Sequence, residues 1–145
     1  MRQVLRSALV AQPPARMFAL VNDVEKYPAF VPWCTGARIE SRTETEIVAT
    51  LDVKRGPLRA EFTTRNTLEP DSRVRMQLVR GPFRMLEGEW RLIPVGDNGC
   101  RVELALKFAF SGGLQALVFE PLFEETAGSL VDAFVARSRI IGTDV

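Results

Sequence analysis

Across residues 37–110 apolar side chains recur at every second position, and no other feature of the chain limits its fold as strongly. Ile47, Ala49, Leu51 and Val53 alternate with Glu46, Thr50, Asp52 and Lys54. Leu58, Ala60, Phe62, Thr64, Asn66 and Leu68 alternate with Arg59, Glu61, Thr63, Arg65 and Thr67. The period continues through Val74, Met76 and Leu78, then Leu86, Trp90 and Leu92, then Val102, Leu104, Leu106, Phe108 and Phe110. Such a period marks antiparallel strands with one buried and one solvated face. Turn residues separate the runs at Arg55-Gly56-Pro57, Glu69-Pro70-Asp71, Arg80-Gly81-Pro82 and Gly96-Asp97-Asn98-Gly99. A further strand is expected over residues 3–10, with Leu5 and Leu9 on one face, before Pro13-Pro14 breaks it.

A sheet with one apolar face needs a cover, and only residues 111–142 are long enough to supply it. Leu114, Leu117, Val118, Leu122, Phe123, Ala127, Leu130, Val131, Phe134 and Val135 recur there in steps of three and four, one stripe of a helix. Ser111 suits its N-cap and Gly142 its stop. Uninterrupted, the helix would reach roughly 45 Å. Pro121 and Gly128 interrupt it, and a kink or break is expected near Pro121. Two short helices should precede the main sheet. One runs from Pro14 to Asn22 with Met17, Val21 and Phe18 on its apolar side; the next turn is capped by Asn22-Asp23 and ended by Pro28. The order predicts a single α+β domain over residues 1–145, a curved seven-stranded antiparallel sheet wrapped around a long C-terminal helix. One helical stripe cannot fill a strongly twisted sheet everywhere, so a cavity between them is expected.

Composition narrows the function. The chain has 145 residues, a net charge of +1 and no histidine, so nothing in its charge argues for DNA or RNA as a partner. Two cysteines, Cys34 and Cys100, cannot build a zinc site alone, and they read as free thiols in a reducing cytoplasm. No apolar run reaches the length of a membrane span, and residues 1–10 lack the pattern of a signal peptide. No nucleophile stands at a recognisable spacing from a base, and no glycine loop is built for phosphate. Glu124, Glu125 and Asp71 are acidic residues without a partner that would define a mechanism. A non-catalytic protein needing no cofactor or metal is expected.

The element order resembles the helix-grip fold of START-like domains, the superfamily that includes polyketide cyclases. The segment Asp23-Val24-Glu25-Lys26-Tyr27-Pro28-Ala29-Phe30-Val31-Pro32-Trp33-Cys34 resembles the signature of the coenzyme Q-binding START subfamily, whose bacterial members are labelled ribosome-association toxins. The resemblance spans essentially the whole chain. It implies two roles: binding of a long-tailed quinone in support of respiration, and interference with the joining of ribosomal subunits.

Several residues are candidates for a site. Tyr27, Phe30 and Trp33 either plug one end of the sheet or form a cavity wall, where an indole N–H or phenol O–H would donate to a quinone carbonyl. Thr64, Asn66 and Arg80 fall in phase with inward residues; they pair with backbone or orient a ligand head group. Phe62, Met76, Leu78, Trp90, Leu104, Phe108, Phe123, Leu130 and Phe134 are core or cavity lining. At the two Arg-Gly-Pro turns, Arg55, Leu58, Arg80, Phe83, Arg84 and Met85 either form ordinary hairpins or an apolar, arginine-flanked contact with anionic lipid. The leading expectation is a carrier for ubiquinone or a similar lipid, held between sheet and helix and peripheral to the inner membrane. The alternatives are a protein that binds the large ribosomal subunit and a polyketide cyclase-like enzyme.

Overall fold

The computed structural model describes residues 2–142. Strand β1 (Arg2–Val10) leads into helix α1 (Pro14–Asn22), a single 3-10 turn (Val24–Lys26) and the four-residue helix α2 (Tyr27–Phe30). Six strands follow: β2 (Cys34–Arg42), β3 (Glu46–Arg55), β4 (Leu58–Glu69), β5 (Arg73–Arg80), β6 (Phe83–Val95) and β7 (Gly99–Phe110). Helices α3 (Gly113–Gly128) and α4 (Leu130–Gly142) complete the order. The strands form one antiparallel sheet in the order β1-β7-β6-β5-β4-β3-β2, a meander whose first strand returns beside its last. The expected seven-stranded α+β architecture is therefore present, with its helices packed on one face.

Local details depart from the alternation. On β1 the buried residues are Val4 and Val10, while Leu5 and Leu9 are 62% and 70% exposed; they share a face, but the outer one. Pro28 lies inside the first turn of α2 rather than ending a helix, a position where its missing N–H has no intrahelical partner to lose. Asp23 precedes the 3-10 turn without a side-chain capping bond.

Arg80 also changes face. Thr64 pairs with Leu78 but Thr63 pairs with Arg80, so Val79 is an extra residue on β5. Such a bulge moves everything beyond it to the opposite face. A second irregularity on β2, between Ile39 and Ser41, sets Glu40 out of register. Together they bring Arg80 onto the Glu40 carboxylate on the outer face of the sheet. Beneath it, Thr50 donates to Glu40 at 2.6 Å and Thr63 lies 2.6 Å from Thr50. Because the Thr50 hydroxyl has one proton, Thr63 must be the donor to Thr50. This chain satisfies two hydroxyls that are almost fully buried.

The helical cover is broken, but not at Pro121. Helix α3 runs through Pro121, whose ring is exposed, and ends at Gly128. Around Ser129 the backbone ladder is disturbed by side chains: Thr126 Oγ1 donates to the Leu122 carbonyl at 2.6 Å and Ser129 Oγ to the Thr126 carbonyl at 2.7 Å. Hydroxyls that bond back to the preceding turn bend helices. Gly128 is further constrained because a Cβ there would sit 3.0 Å from the Arg6 guanidinium. Gly112, at φ +84°, precedes the first turn of α3 in place of Ser111, and no side chain caps it. Gly142, the expected stop, is the last residue of α4 and of the described chain.

Three carboxylates hold α3 to the sheet. Glu120 accepts from the Phe110 N–H at 2.8 Å, Glu124 pairs with Arg2 at 3.2 Å and Glu125 with Arg55 at 3.0 Å. Glu124 and Glu125, two of the three acidic residues singled out in the sequence, thus pair with arginines that hold the helix rather than with a group that would define a mechanism. The apolar stripe of α3 begins facing solvent, with Leu114, Leu117 and Val118 82%, 72% and 53% exposed. Phe123, Ala127, Val131 and Phe134 are buried as expected.

The core has two parts. One gathers Met17, Val21, Val24, Tyr27, Val31, Trp90 and Phe134 around α1, α2 and α4. Its rings meet edge to face, with Phe134 5.2 Å from Tyr27, 5.2 Å from Phe30 and 5.1 Å from Trp90. The other gathers Leu58, Phe62, Phe83, Phe108, Phe110 and Phe123 under α3, with the Phe123 ring 4.8 Å from Phe108 and 5.1 Å from Phe83.

Two measurements test this packing. Phe134 is fully buried among three rings, so Phe134→Ala should cost about 3–5 kcal/mol in chemical denaturation; a loss below about 1 kcal/mol would place it outside the core. The bonds from Arg80 and then Thr50 hold the Glu40 carboxyl down at about 2. A lowered carboxyl favours the folded state above the ordinary carboxylate range and ceases to do so as pH falls through about 2. In an NMR titration Arg80→Gln should return Glu40 toward its ordinary value; an unshifted Glu40 would contradict the bridge.

Candidate hydrophobic ligand site

The two parts of the core do not close completely on one another. Between them lies a cavity of about 80 Å³. The first cluster contributes Val24, Tyr27, Ala49, Trp90 and Leu104 to its wall, and the second contributes Phe62, Leu86, Leu106, Phe123 and Ala127. Trp33 and Leu51 pack against both clusters and also line it, as do Thr64, Asn66, Met76 and Leu130. No ionisable carboxyl, ammonium or guanidinium group is among the lining residues.

The wall is built by the inward faces of β3 to β7 on one side and by the helix junction on the other. Ala127, near the end of α3, and Leu130, at the start of α4, flank the break and both face the cavity. Trp33, in the turn after α2, fastens this junction: its Nε1–H donates to Ser129 Oγ at 2.9 Å, and the Ser129 hydroxyl donates in turn to the Thr126 carbonyl. On β6, Gly88 lies in phase between the lining residues Leu86 and Trp90. A Cβ at Gly88 would meet the Ala105 carbonyl at 2.5 Å, so the close approach of β6 and β7 at this point requires glycine.

Most expected wall residues take that position: Tyr27, Trp33, Phe62, Thr64, Asn66, Met76, Trp90, Leu104, Phe123 and Leu130 all line the cavity. Phe30, Leu78, Phe108 and Phe134 do not. Phe108 and Phe134 are fully buried inside the clusters. Leu78 packs at the edge of the second cluster, and Phe30 meets Tyr27 and Phe134 edge to face beneath the Arg137 guanidinium. The wall also includes Val24, Ala49, Leu51, Leu86, Leu106 and Ala127. Strand period placed four of these inward, and the helical stripe placed Ala127. What separates lining from core is the neighbour across the cavity, which periodicity does not carry.

Hydrogen bonding sets the chemistry of the wall. The Tyr27 hydroxyl donates to the Val21 carbonyl, and burial, with smaller contributions from Cys34 and Asp23, pushes its pKa far above the ordinary phenol value. It stays a protonated, occupied donor. The Trp33 N–H is likewise committed. Cys34 and Cys100 are buried free thiols outside the wall, each raised above its ordinary pKa chiefly by burial.

The Arg-Gly-Pro turns do not form an apolar tip. Leu58 is fully buried and Phe83 only 5% exposed, because both fold back into the second cluster. Arg55 is engaged by Glu125 and Arg80 by Glu40, whereas Arg84 is exposed and Met85 half-buried. The exposed apolar surface near that end of the sheet belongs instead to the first turns of α3. Among the described residues no helix is long and apolar enough to cross a membrane.

Residues 10–135 match the family model described as polyketide cyclase / dehydrase and lipid transport. The chain is 42% identical over 139 residues to the ribosome association toxin RatA of Vibrio cholerae, covering 96% of each. It is 29% identical to the mitochondrial coenzyme Q-binding protein COQ10 of Drosophila melanogaster, covering 95% of this chain and 59% of that one. In three dimensions it resembles a START superfamily protein from Mycobacterium smegmatis with a TM-score of 0.81 at 21% identity, covering 96% and 98% of the two chains. With a helix-grip fold, a cavity between sheet and helices, and a family match across most of its length, the chain belongs to the polyketide cyclase/dehydrase and lipid-transport family of START-like proteins.

Proposed function

We propose that the protein is a non-catalytic carrier of a neutral hydrophobic lipid, an isoprenoid quinone such as ubiquinone. The observation that carries this reading is an uncharged cavity placed where the covering helix is broken. Burial of an apolar tail contributes about 25 cal/mol per Å², while a wall without charge leaves nothing to desolvate at high cost. The lipid-transport description of the family and the name of the Drosophila relative support the same ligand class.

The cavity is much smaller than the roughly 300–1,000 Å³ of a pocket enclosing a whole small molecule. Loading a prenylated ring therefore requires a wall to move. The α3–α4 junction is the place for it, because displacing α3 about Ser129 lifts Phe123 and Ala127 off the sheet and widens the seam, while α4 keeps Phe134 in the first cluster. Trp33 acts as the latch on that junction. The exposed turn from Leu114 to Val118, together with Arg84, supplies a surface for peripheral contact with a membrane during delivery. A cyclase reaction has less support: the chain has no histidine, and the cavity wall holds no group placed to move a proton apart from a phenol that is buried and engaged.

A second reading rests on a different observation. The bacterial relative with 42% identity is named for ribosome association, and the outward apolar residues of α3 would serve as a docking face for the large ribosomal subunit without using the cavity.

Purified protein mixed with quinone-containing vesicles should extract ubiquinone, and Ala49→Leu, which fills the cavity, should lower the load by about tenfold at unchanged or higher thermal stability. Equal loading of the variant would contradict binding in the cavity. Ser129→Ala removes the acceptor of the Trp33 N–H and leaves the indole in place, so it should lower stability by about 1 kcal/mol and speed quinone release; Trp33→Phe, which also shrinks the ring, should lower stability further. Release unchanged in both variants would remove the latch. In sucrose-gradient sedimentation the ribosomal reading predicts fewer joined ribosomes as protein is added, and Leu117→Glu should abolish the effect; unchanged joining at high protein concentration would exclude it.

A further inference from the structure

The cavity wall has one polar side chain whose hydrogen-bonding capacity is not used. Asn66 is 8% exposed and lines the cavity from the inner face of β4, between Ile47 of β3 and Met76 of β5. Its partner is Thr64, whose hydroxyl donates to Asn66 Oδ1 at 2.8 Å. The Asn66 amide nitrogen then has two N–H groups and no acceptor among the described residues. Turning the amide over so that the nitrogen donates to Thr64 Oγ1 still leaves one N–H unpaired. Among the described residues no buried side-chain nitrogen or oxygen lacks a partner, so this nitrogen is reached from the cavity, where water or a bound ligand can accept from it.

The surroundings define that acceptor. The other three side-chain donors on the wall are taken, Tyr27 by the Val21 carbonyl, Trp33 by Ser129 and Thr64 by Asn66 Oδ1. No arginine or lysine lines the cavity to receive a carboxylate or phosphate, and no acidic group lines it to receive a cation. Everything else around Asn66 is apolar or aromatic.

We infer that Asn66, oriented by Thr64, is the polar anchor of the cavity and selects a neutral ligand that presents a carbonyl oxygen ahead of an apolar tail. This rests on the lipid-carrier reading and adds to it a residue and a rule of selection. Ligands that carry a fixed or ionised head group are rejected, because the wall offers them burial without a counter-charge. Pure hydrocarbons are accepted less well than carbonyl compounds of the same length, because they leave the amide without an acceptor.

Titration calorimetry with three probes tests the inference: decylubiquinone, decylbenzene, and laurate at pH 8. The wild-type protein should bind decylubiquinone about five- to tenfold more tightly than decylbenzene and laurate at least about tenfold more weakly than decylubiquinone. Asn66→Leu, of similar volume and without donors, should abolish the preference by weakening decylubiquinone alone. Thr64→Val, which keeps the amide but removes its orienting hydroxyl, should reduce the preference by a smaller factor and serves where Asn66→Leu does not fold. A preference that survives both substitutions overturns the anchor while leaving the cavity reading intact. Laurate binding as tightly as decylubiquinone also overturns the selection rule. Binding of none of the probes by the wild-type protein removes the lipid-carrier reading, and the anchor with it.

Discussion

A concave, one-faced sheet is covered by a helical segment that cannot stay straight, and the molecule depends on how that conflict is resolved. Helices α3 and α4 each bury rings against their own part of the sheet, Phe123 in one case and Phe134 in the other. The break between them falls at Gly128 and Ser129, where hydroxyls compete with the helical ladder and Gly128 passes close to the Arg6 guanidinium. Edge-to-face ring pairs contribute about 0.5–1.5 kcal/mol each beyond their burial, so each cluster is stable as a unit. Among the described residues no such ring pair crosses the seam between the clusters, which remains partly unfilled.

This places the cavity, the break and the Trp33–Ser129 bond at one location. A ligand that enters there does not replace core packing; it occupies what the two clusters fail to share. The wall carries no charge, which favours neutral lipids and disfavours acid–base chemistry for the same reason. The outward residues of α3 are a separate matter. Leu114, Leu117 and Val118 contribute nothing to the cavity, and their exposure is compatible with docking to a membrane or to the ribosome. The proposed lipid site and the proposed docking face therefore lie on different surfaces of the same fold.

Much of this was legible in the residues. The period-two runs placed β3, β4, β5, β6 and β7 and most of their inward faces, and the turn residues placed every hairpin among them. Of the two readings open for the aromatic segment, the structure packs Phe30 against the core and places Trp33 on the cavity wall. Other features were not legible, each for a physical reason. Strict alternation cannot show a bulge, so the extra residue at Val79 hid the reversal of Arg80. Apolar character alone does not say which face of an edge strand is covered, so Leu5 and Leu9 were placed together but given no exposure. Proline is the stronger helix breaker in a sequence, yet the exposed ring of Pro121 is accommodated within α3 and the break falls at the hydroxyls near Gly128. Phe83 looked like a hairpin tip because its burial depends on Phe110 and Phe123, which are distant in sequence. The hydrogen bonds that occupy Tyr27 and Trp33, and the absence of one for the Asn66 amide, depend on three-dimensional neighbours that no spacing encodes.

The central claim is that a lipid occupies the seam between the two aromatic clusters. The most direct measurement is an NMR titration of isotope-labelled protein with decylubiquinone, following backbone amides and the two indole N–H signals. The account predicts the largest shifts at Asn66, Ala127, Leu130 and the Trp33 indole, with small shifts along the outward face of α3. Shifts confined to Leu114, Leu117 and Val118, with Asn66 and Trp33 unmoved at saturation, would contradict it.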